Sequence, residues 1–129
     1  MLKKYWHILI IAIFLLGAGA YKASMASGIE QINTDELAVL LKEDRNETFF
    51  VDVREVQEFK EGHIPEMTNV PLSSLNENYT DIPQDKEVVI ICRSGNRSLQ
   101  AANILKDLGY SNITNVTGGM QKWSGEVTR

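Results

Sequence analysis

A single cysteine, Cys92, sits where the chain changes character: Val88-Val89-Ile90-Ile91 precede it, and Arg93-Ser94-Gly95-Asn96-Arg97-Ser98 follow. The β-branched run reads as a strand buried on both faces. The polar residues and the glycine read as a tight turn, and a helical period begins at about Arg97. Amide N–H groups in such a turn point inward, and the helix N-terminus adds partial positive charge. That setting favours a thiolate over a thiol, which is the condition for nucleophilic sulfur chemistry. The alternative is an inert buried cysteine. Such residues usually sit among apolar neighbours, whereas Cys92 is flanked by polar residues and two arginines.

Several neighbours carry candidate roles. Arg93 and Arg97 give a local positive spot suited to anion capture and thiolate stabilisation, although either could point to solvent. Gly95 supplies backbone freedom or close approach to a ligand. Ser94 and Ser98 could donate to a bound anion, and Ser98 fits better as a first-turn helix residue satisfying backbone. Asp52 and Glu55 have capping-box spacing, so Asp52 either caps the next helix or orients the cysteine turn or Arg54. His63, ahead of Ile64-Pro65, fits a hydrogen-bonded structural histidine better than a general base. Trp123 fits packing.

The elements that must position these residues alternate in type. Strands are expected near 29–32, 48–53, 87–91 and 112–116, with a short extended piece at 69–72. Asn33 or Thr34 should cap a helix carrying Leu37, Leu40 and Leu41. Arg54 opens a short helical turn closed by Gly62. Ala101, Ile104, Leu105 and Leu108 mark the helix after the turn, with Gly109 as its cap. Gly118-Gly119 begins a last short helix, and 73–83 reads as polar and irregular, with room for one helical turn. This alternation argues an α/β fold, a parallel sheet with helices on both faces. Function in such sheets gathers beyond the carboxyl ends of the strands. Asp52-Val53-Arg54, Cys92 to Arg97 and Thr117-Gly118-Gly119 all fall there, so one pocket is expected.

Length and charge bound the rest. A chain of 129 residues holds one domain, expected over 29–129, plus an appendage. Residues 1–26 have a basic start, an apolar middle and small residues at the end, as in a signal peptide or membrane anchor. With the basic end inside, the domain is expected to be exported: extracytoplasmic, or anchored to the cell membrane through that segment alone. Beyond residue 26, 10 basic side chains face 17 acidic ones. A net charge of about −7 argues against nucleic acid as a partner. One cysteine cannot form an internal disulfide, and with only His7 and His63 it offers no metal-ligand cluster.

Six segments together resemble the rhodanese family of sulfurtransferases. They are Asp52-Val53-Arg54, Glu58-Phe59, Gly62-His63-Ile64-Pro65, Asn69-Val70-Pro71-Leu72, Cys92 to Ser98, and Gly118-Gly119 with Trp123. They occur in the family's order over about residues 29–126. The resemblance implies a five-stranded parallel sheet and a cysteine that carries sulfur as a persulfide, with no metal or organic cofactor. Cys92 matches the nucleophile, Arg93 to Arg97 the loop whose amides surround the sulfur, and Asp52 and Arg54 supporting positions. Glu66-Met67 departs from the usual Gly-Ala after the proline. The implied reaction moves sulfur from a small anionic donor such as thiosulfate to a thiol or cyanide acceptor. Two rivals remain: a non-enzymatic sulfur-carrier or binding module, and a phosphatase or arsenate reductase of related fold. The latter place five residues between cysteine and arginine, whereas Cys92 and Arg97 enclose four, a ring suited to one sulfur atom.

Overall fold

The computed structural model describes residues 28–43 and 46–129, with Tyr5 and Ile11 as isolated positions. The expected signal or anchor over 1–26 otherwise lies outside the described residues. Among those described, no helix is long and apolar enough to cross a membrane.

Five strands form one parallel sheet: β1 (Glu30–Ile32), β2 (Thr48–Asp52), β3 (Thr68–Asn69), β4 (Glu87–Ile91) and β5 (Ile113–Val116). Their spatial order is β1-β5-β4-β2-β3, which puts β4, the strand leading to Cys92, at the centre. Phe50 pairs with Val89 and Asp52 with Ile91, so β2 and β4 end level with each other. The Asp52–Arg54 and Cys92–Ser98 segments therefore leave the sheet side by side.

Alternation along the strands sends side chains to two cores. Val51, Val53, Val88, Ile90 and Cys92 pack with Ala101, Ala102 and Leu105 of the long helix α4 (Asn96–Asp107). The same core takes Leu75 from α3 (Leu75–Asn78). Phe50, Val89, Ile91 and Val116 face the other way, against Leu37 of α1 (Thr34–Lys42). Phe59 of α2 (Val56–Glu61) and Met120 of α5 (Gly119–Lys122) pack at the margin of that second core. Helices thus cover both faces, as the alternation predicts. Each large aliphatic so buried stabilises the fold by about 1.5–3 kcal/mol relative to exposure.

Helix ends follow local chemistry. Asn33 caps α1 in a capping box with Glu36. Gly109, at φ +101°, ends α4: its N–H reaches the Lys106 carbonyl and that of Tyr110 reaches Leu105. Two expectations need correction. Asp52 and Glu55 do not form a capping box. Asp52 is still in β2, and the box is formed by Glu55 and Glu58. The stretch 73–83 holds more than the single helical turn expected of it. It carries a 3₁₀ turn at Leu72–Ser74, α3, and a second 3₁₀ turn at Tyr79–Asp81. Leu75 and Ile82 anchor it in the core, and the Tyr110 hydroxyl meets the carbonyls of Tyr79 and Ile82. Met67, at the departure from the family pattern, is buried and fills the second core.

Candidate active site

β4 ends at Ile91, and the chain must turn from strand to helix within four residues. Gly95 makes this possible with φ +107°, a left-handed value that a side chain would strain. The turn folds Gly95 back so that its N–H donates to Cys92 Sγ at 3.0 Å. Ser98, in the first turn of α4, is fully buried with its Oγ 3.3 Å from the same sulfur and 3.1 Å from the Gly95 carbonyl oxygen. With Cys92 as a thiol, S–H donates to Ser98 Oγ and the hydroxyl donates to the carbonyl. With a thiolate, the hydroxyl turns and donates to sulfur. Ser98 thus satisfies backbone, as its helix position suggests, and also serves the sulfur.

Burial alone would push the Cys92 thiol up. The Ser98 hydroxyl and the amide N–H groups of Ser98, Gly95 and Ser94 act the other way and prevail, holding the thiol below its ordinary value. Cys92 is buried, while Arg93, Ser94 and Asn96 on the outer edge of the loop are exposed.

The loop is held from behind by the β5–α5 connection. Met120 N–H donates to the Cys92 carbonyl at 2.8 Å and Gln121 N–H to that of Arg93 at 2.9 Å. With these carbonyls drawn away, the next amides are free to face the sulfur. The approach is so close that a Cβ on Gly119 would meet the Cys92 carbonyl oxygen and lie 2.6 Å from Arg93 C and O. Thr117-Gly118-Gly119 therefore meets the cysteine loop as a backbone clamp from behind, and does not line the cleft at Arg93.

A separate network forms at the end of β2, beside the loop. Asp52 is fully buried, and its carboxylate accepts from Arg54 Nη2 at 2.8 Å, from Nε, and from the Arg54 backbone N–H. Of the two roles open for Asp52, orienting Arg54 is the one found. Arg54 also donates to the Gly62 carbonyl at 2.8 Å. Asn69 Nδ2 bridges the Asp52 and Arg54 carbonyls at 2.9 Å each, fixing the segment between them.

The two arginines of the loop part company. Arg97 turns to α2, where its Nη1 and Nη2 meet the two carboxylate oxygens of Glu58 at 2.6 and 2.8 Å. Among the described residues Arg93 has no ion-pair partner and is exposed. It borders an open cleft of about 460 Å³ with Arg54, Glu58, Glu61, Met120 and Gln121. His63 stands apart from the sulfur: its ring stacks on Phe59, and its Nδ1 bonds the Phe59 carbonyl. Trp123 Nε1 donates to the Glu126 carbonyl, and its ring packs on the second core. Sequence reasoning missed Asn69 as a clamp and Glu58 as the partner of Arg97. Their contacts span 15 to 39 residues, so no local spacing could reveal them.

The chain that folds around this buried, amide-ringed cysteine has known relatives. The Rhodanese-like domain profile matches residues 33–126. The chain belongs to the rhodanese-like domain family. It is 38% identical over 99 residues to the putative sulfurtransferase YtwF of Bacillus subtilis, covering 77% of this chain and 94% of YtwF. It is 34% identical over 119 residues to the putative sulfur carrier protein YrkF of the same organism, covering 92% of this chain. Of YrkF it spans 63%, under two thirds of that protein's length. A crystal structure of a rhodanese-like domain protein from Staphylococcus aureus superposes with a TM-score of 0.70 at 32% identity, covering 76% of this chain and 94% of that one. Rhodanese-like relatives named for sulfur transfer, together with this geometry, make general sulfur transfer the chemistry to consider.

Proposed function

We propose that this protein is a sulfurtransferase that carries sulfane sulfur on Cys92, with thiosulfate or a similar small anion as donor. The observation that supports this most is the donor set at Sγ: the amides of Ser94, Gly95 and Ser98 and the Ser98 hydroxyl converge on one sulfur. In the first step the Cys92 thiolate attacks the outer sulfur of thiosulfate. A new S–S bond forms, the old one breaks, and its electron pair leaves with sulfite. The persulfide Cys92–S–S⁻ then keeps its single negative charge among N–H and O–H dipoles that need no reorganisation. In the second step an acceptor thiolate, or cyanide, attacks the outer sulfur, and the Cys92 thiolate leaves. Two half-reactions through a covalent intermediate predict ping-pong kinetics. Arg93, exposed at the mouth, meets the anionic donor, and Asp52 and Arg54 brace the loop.

The similarity to YrkF supports a second use of the same persulfide, as a carrier delivering sulfur to a dedicated partner protein. Mass spectrometry of the intact protein after thiosulfate treatment tests the common step. One added sulfur, about 32 Da, is expected on the wild type and none on Cys92→Ser. Turnover with a small thiol or cyanide distinguishes the enzyme from the carrier. Hydrolysis of an aryl phosphate with no sulfur adduct would instead identify a phosphatase and overturn the proposal. The charge pattern of residues 1–26 supports an exported setting. Fractionation of cells expressing the full-length chain tests this, and a purely cytoplasmic product would refute it.

A further inference from the structure

Arg97 follows the sulfur loop directly, where its cation would be expected to serve the sulfur or the donor. Instead both its terminal nitrogens are committed to Glu58, in a fork-to-fork pair at 2.6 and 2.8 Å. Glu58 is itself fixed, because the Glu55 N–H donates to its Oε1 at 3.2 Å. The other charged groups facing the pair are Glu55, whose carboxylate accepts from Ser73 at 2.8 Å, Arg54 on the far side of Glu58, and Cys92 itself. Arg93 remains the exposed guanidinium at the cleft.

We infer that Glu58 is a positioning residue: it holds the Arg97 cation aside, so that neutral dipoles dominate the charge at Cys92 and Arg93 meets the donor. This rests on the sulfurtransferase reading. It separates two arginines that look equivalent in sequence. With Arg97 neutralised, the sulfur is not locked into an ion pair, and the donor's negative end is drawn to the cleft mouth. The Arg97 and Cys92 charges still influence each other, so loss of the Glu58 carboxylate would be read at the sulfur. Glu58→Gln would expose the cation without removing the oxygen that accepts from Glu55. Arg97→Met would expose the carboxylate.

The test uses the full-length chain with Glu58→Gln, Arg97→Met and the double variant. Two quantities are read: the half-saturating thiosulfate concentration for loading, and the pH midpoint of Cys92 thiolate formation from its ultraviolet absorbance. Expected for Glu58→Gln is a half-saturating concentration about three- to tenfold lower, with a lower thiolate midpoint. Arg97→Met should move both quantities the opposite way by a similar factor, and the double variant should return close to wild type. Arg93→Gln should raise the half-saturating concentration about tenfold while leaving the midpoint within about half a pH unit. If both single variants shift in the same direction and the double is no better, the pair is only a brace and the inference falls. It also falls if Arg97→Met and the double weaken donor binding equally, since Arg97 would then be the donor clamp. A wild type that acquires no sulfur would sink the sulfurtransferase reading. The thiolate titration needs no donor and would still decide the role of the pair.

Discussion

Replacing Gly119 by alanine tests whether the backbone clamp behind the loop controls the chemistry in front of it. The added Cβ would lie 2.6 Å from Arg93 C and O and would also meet the Cys92 carbonyl oxygen. A carbon-to-oxygen contact needs about 3.3 Å, so something must move by at least about 0.7 Å. Every atom it meets is backbone, and no flexible side chain can swing aside. The residue also sits at φ +56°, where alanine costs about 1 kcal/mol. Overpacking adds about 1–3 kcal/mol, for a total of about 2–4 kcal/mol. For a domain near 100 residues this lowers Tm by about 10–20 °C. The functional effect should be larger than the stability loss implies. The bonds from Met120 and Gln121 hold the loop at 2.8 and 2.9 Å, and pushing it outward lengthens the 3.0 Å contact from Gly95 to the sulfur. A displacement approaching 1 Å in a preorganised site costs up to about 100-fold in rate. Loading by thiosulfate, followed by intact mass at a temperature where the variant is folded, should slow by about 10- to 100-fold. A variant with wild-type loading rate and a Tm within about 3 °C would show that the loop does not depend on this approach.

Three further perturbations separate the site from its scaffold. Ser98→Ala removes a hydroxyl donor to the thiolate, a charged hydrogen bond of about 1.5–3 kcal/mol, and should raise the Cys92 thiolate midpoint by about one to two pH units. An unchanged absorbance titration would refute that. Tyr110→Phe leaves the Ile82 carbonyl without its hydroxyl donor, while that of Tyr79 keeps the Ile82 N–H, and should cost about 1–2 kcal/mol, with loading unaffected; a thermal melt and the mass assay check both halves. Acid should loosen the α2–α4 contact. The hydrogen bond from Arg97 is the main influence holding Glu58 down to about 2, below the usual carboxylate range. Because the folded value is the depressed one, its contribution is complete above the unfolded value, near 4.3, and fades as pH falls toward 2. Both partners are partly exposed, which limits the effect to about 1 kcal/mol. Urea melts between pH 5 and pH 2 should show a smaller loss for Glu58→Gln than for wild type, and identical losses would argue against the pair.

What the sequence disclosed depended on how far apart the cooperating residues lie. The strand-turn-helix around Cys92 was legible because one apolar run, one glycine and one helical period are contiguous. The sheet and its two-sided cover followed from alternation, and the five strands have the expected order of types along the chain. Asp52 was ambiguous because two short-range partners compete for it. Glu55 has the spacing of a cap, but the strand extends through Asp52 and leaves the carboxylate buried beside Arg54, where an unpaired charge would be costly. The fate of Arg97 was not legible at all. Glu58 lies 39 residues away, and only the folded chain brings α2 against the start of α4. The order of 73–83 was hidden for a related reason. Its polar majority masks Leu75 and Ile82, two buried anchors whose partners lie elsewhere in the chain.

The ring-size argument from Cys92 and Arg97 gains a physical basis from that distant contact. A loop built to grip a tetrahedral oxyanion needs its closing arginine free to fork around the oxygens. Here the arginine at that end of the loop has both terminal nitrogens engaged by Glu58, outside the ring of amides. The ring itself offers N–H and O–H donors to one atom, Cys92 Sγ. The persulfide proposed above would add one polarisable sulfur and no oxygens, for which dipoles suffice without a second cation. The count of four intervening residues and the turning away of Arg97 are thus two expressions of one constraint. A loop short enough to focus on a single sulfur leaves its closing arginine outside the ring, where a carboxylate on the neighbouring helix takes it up.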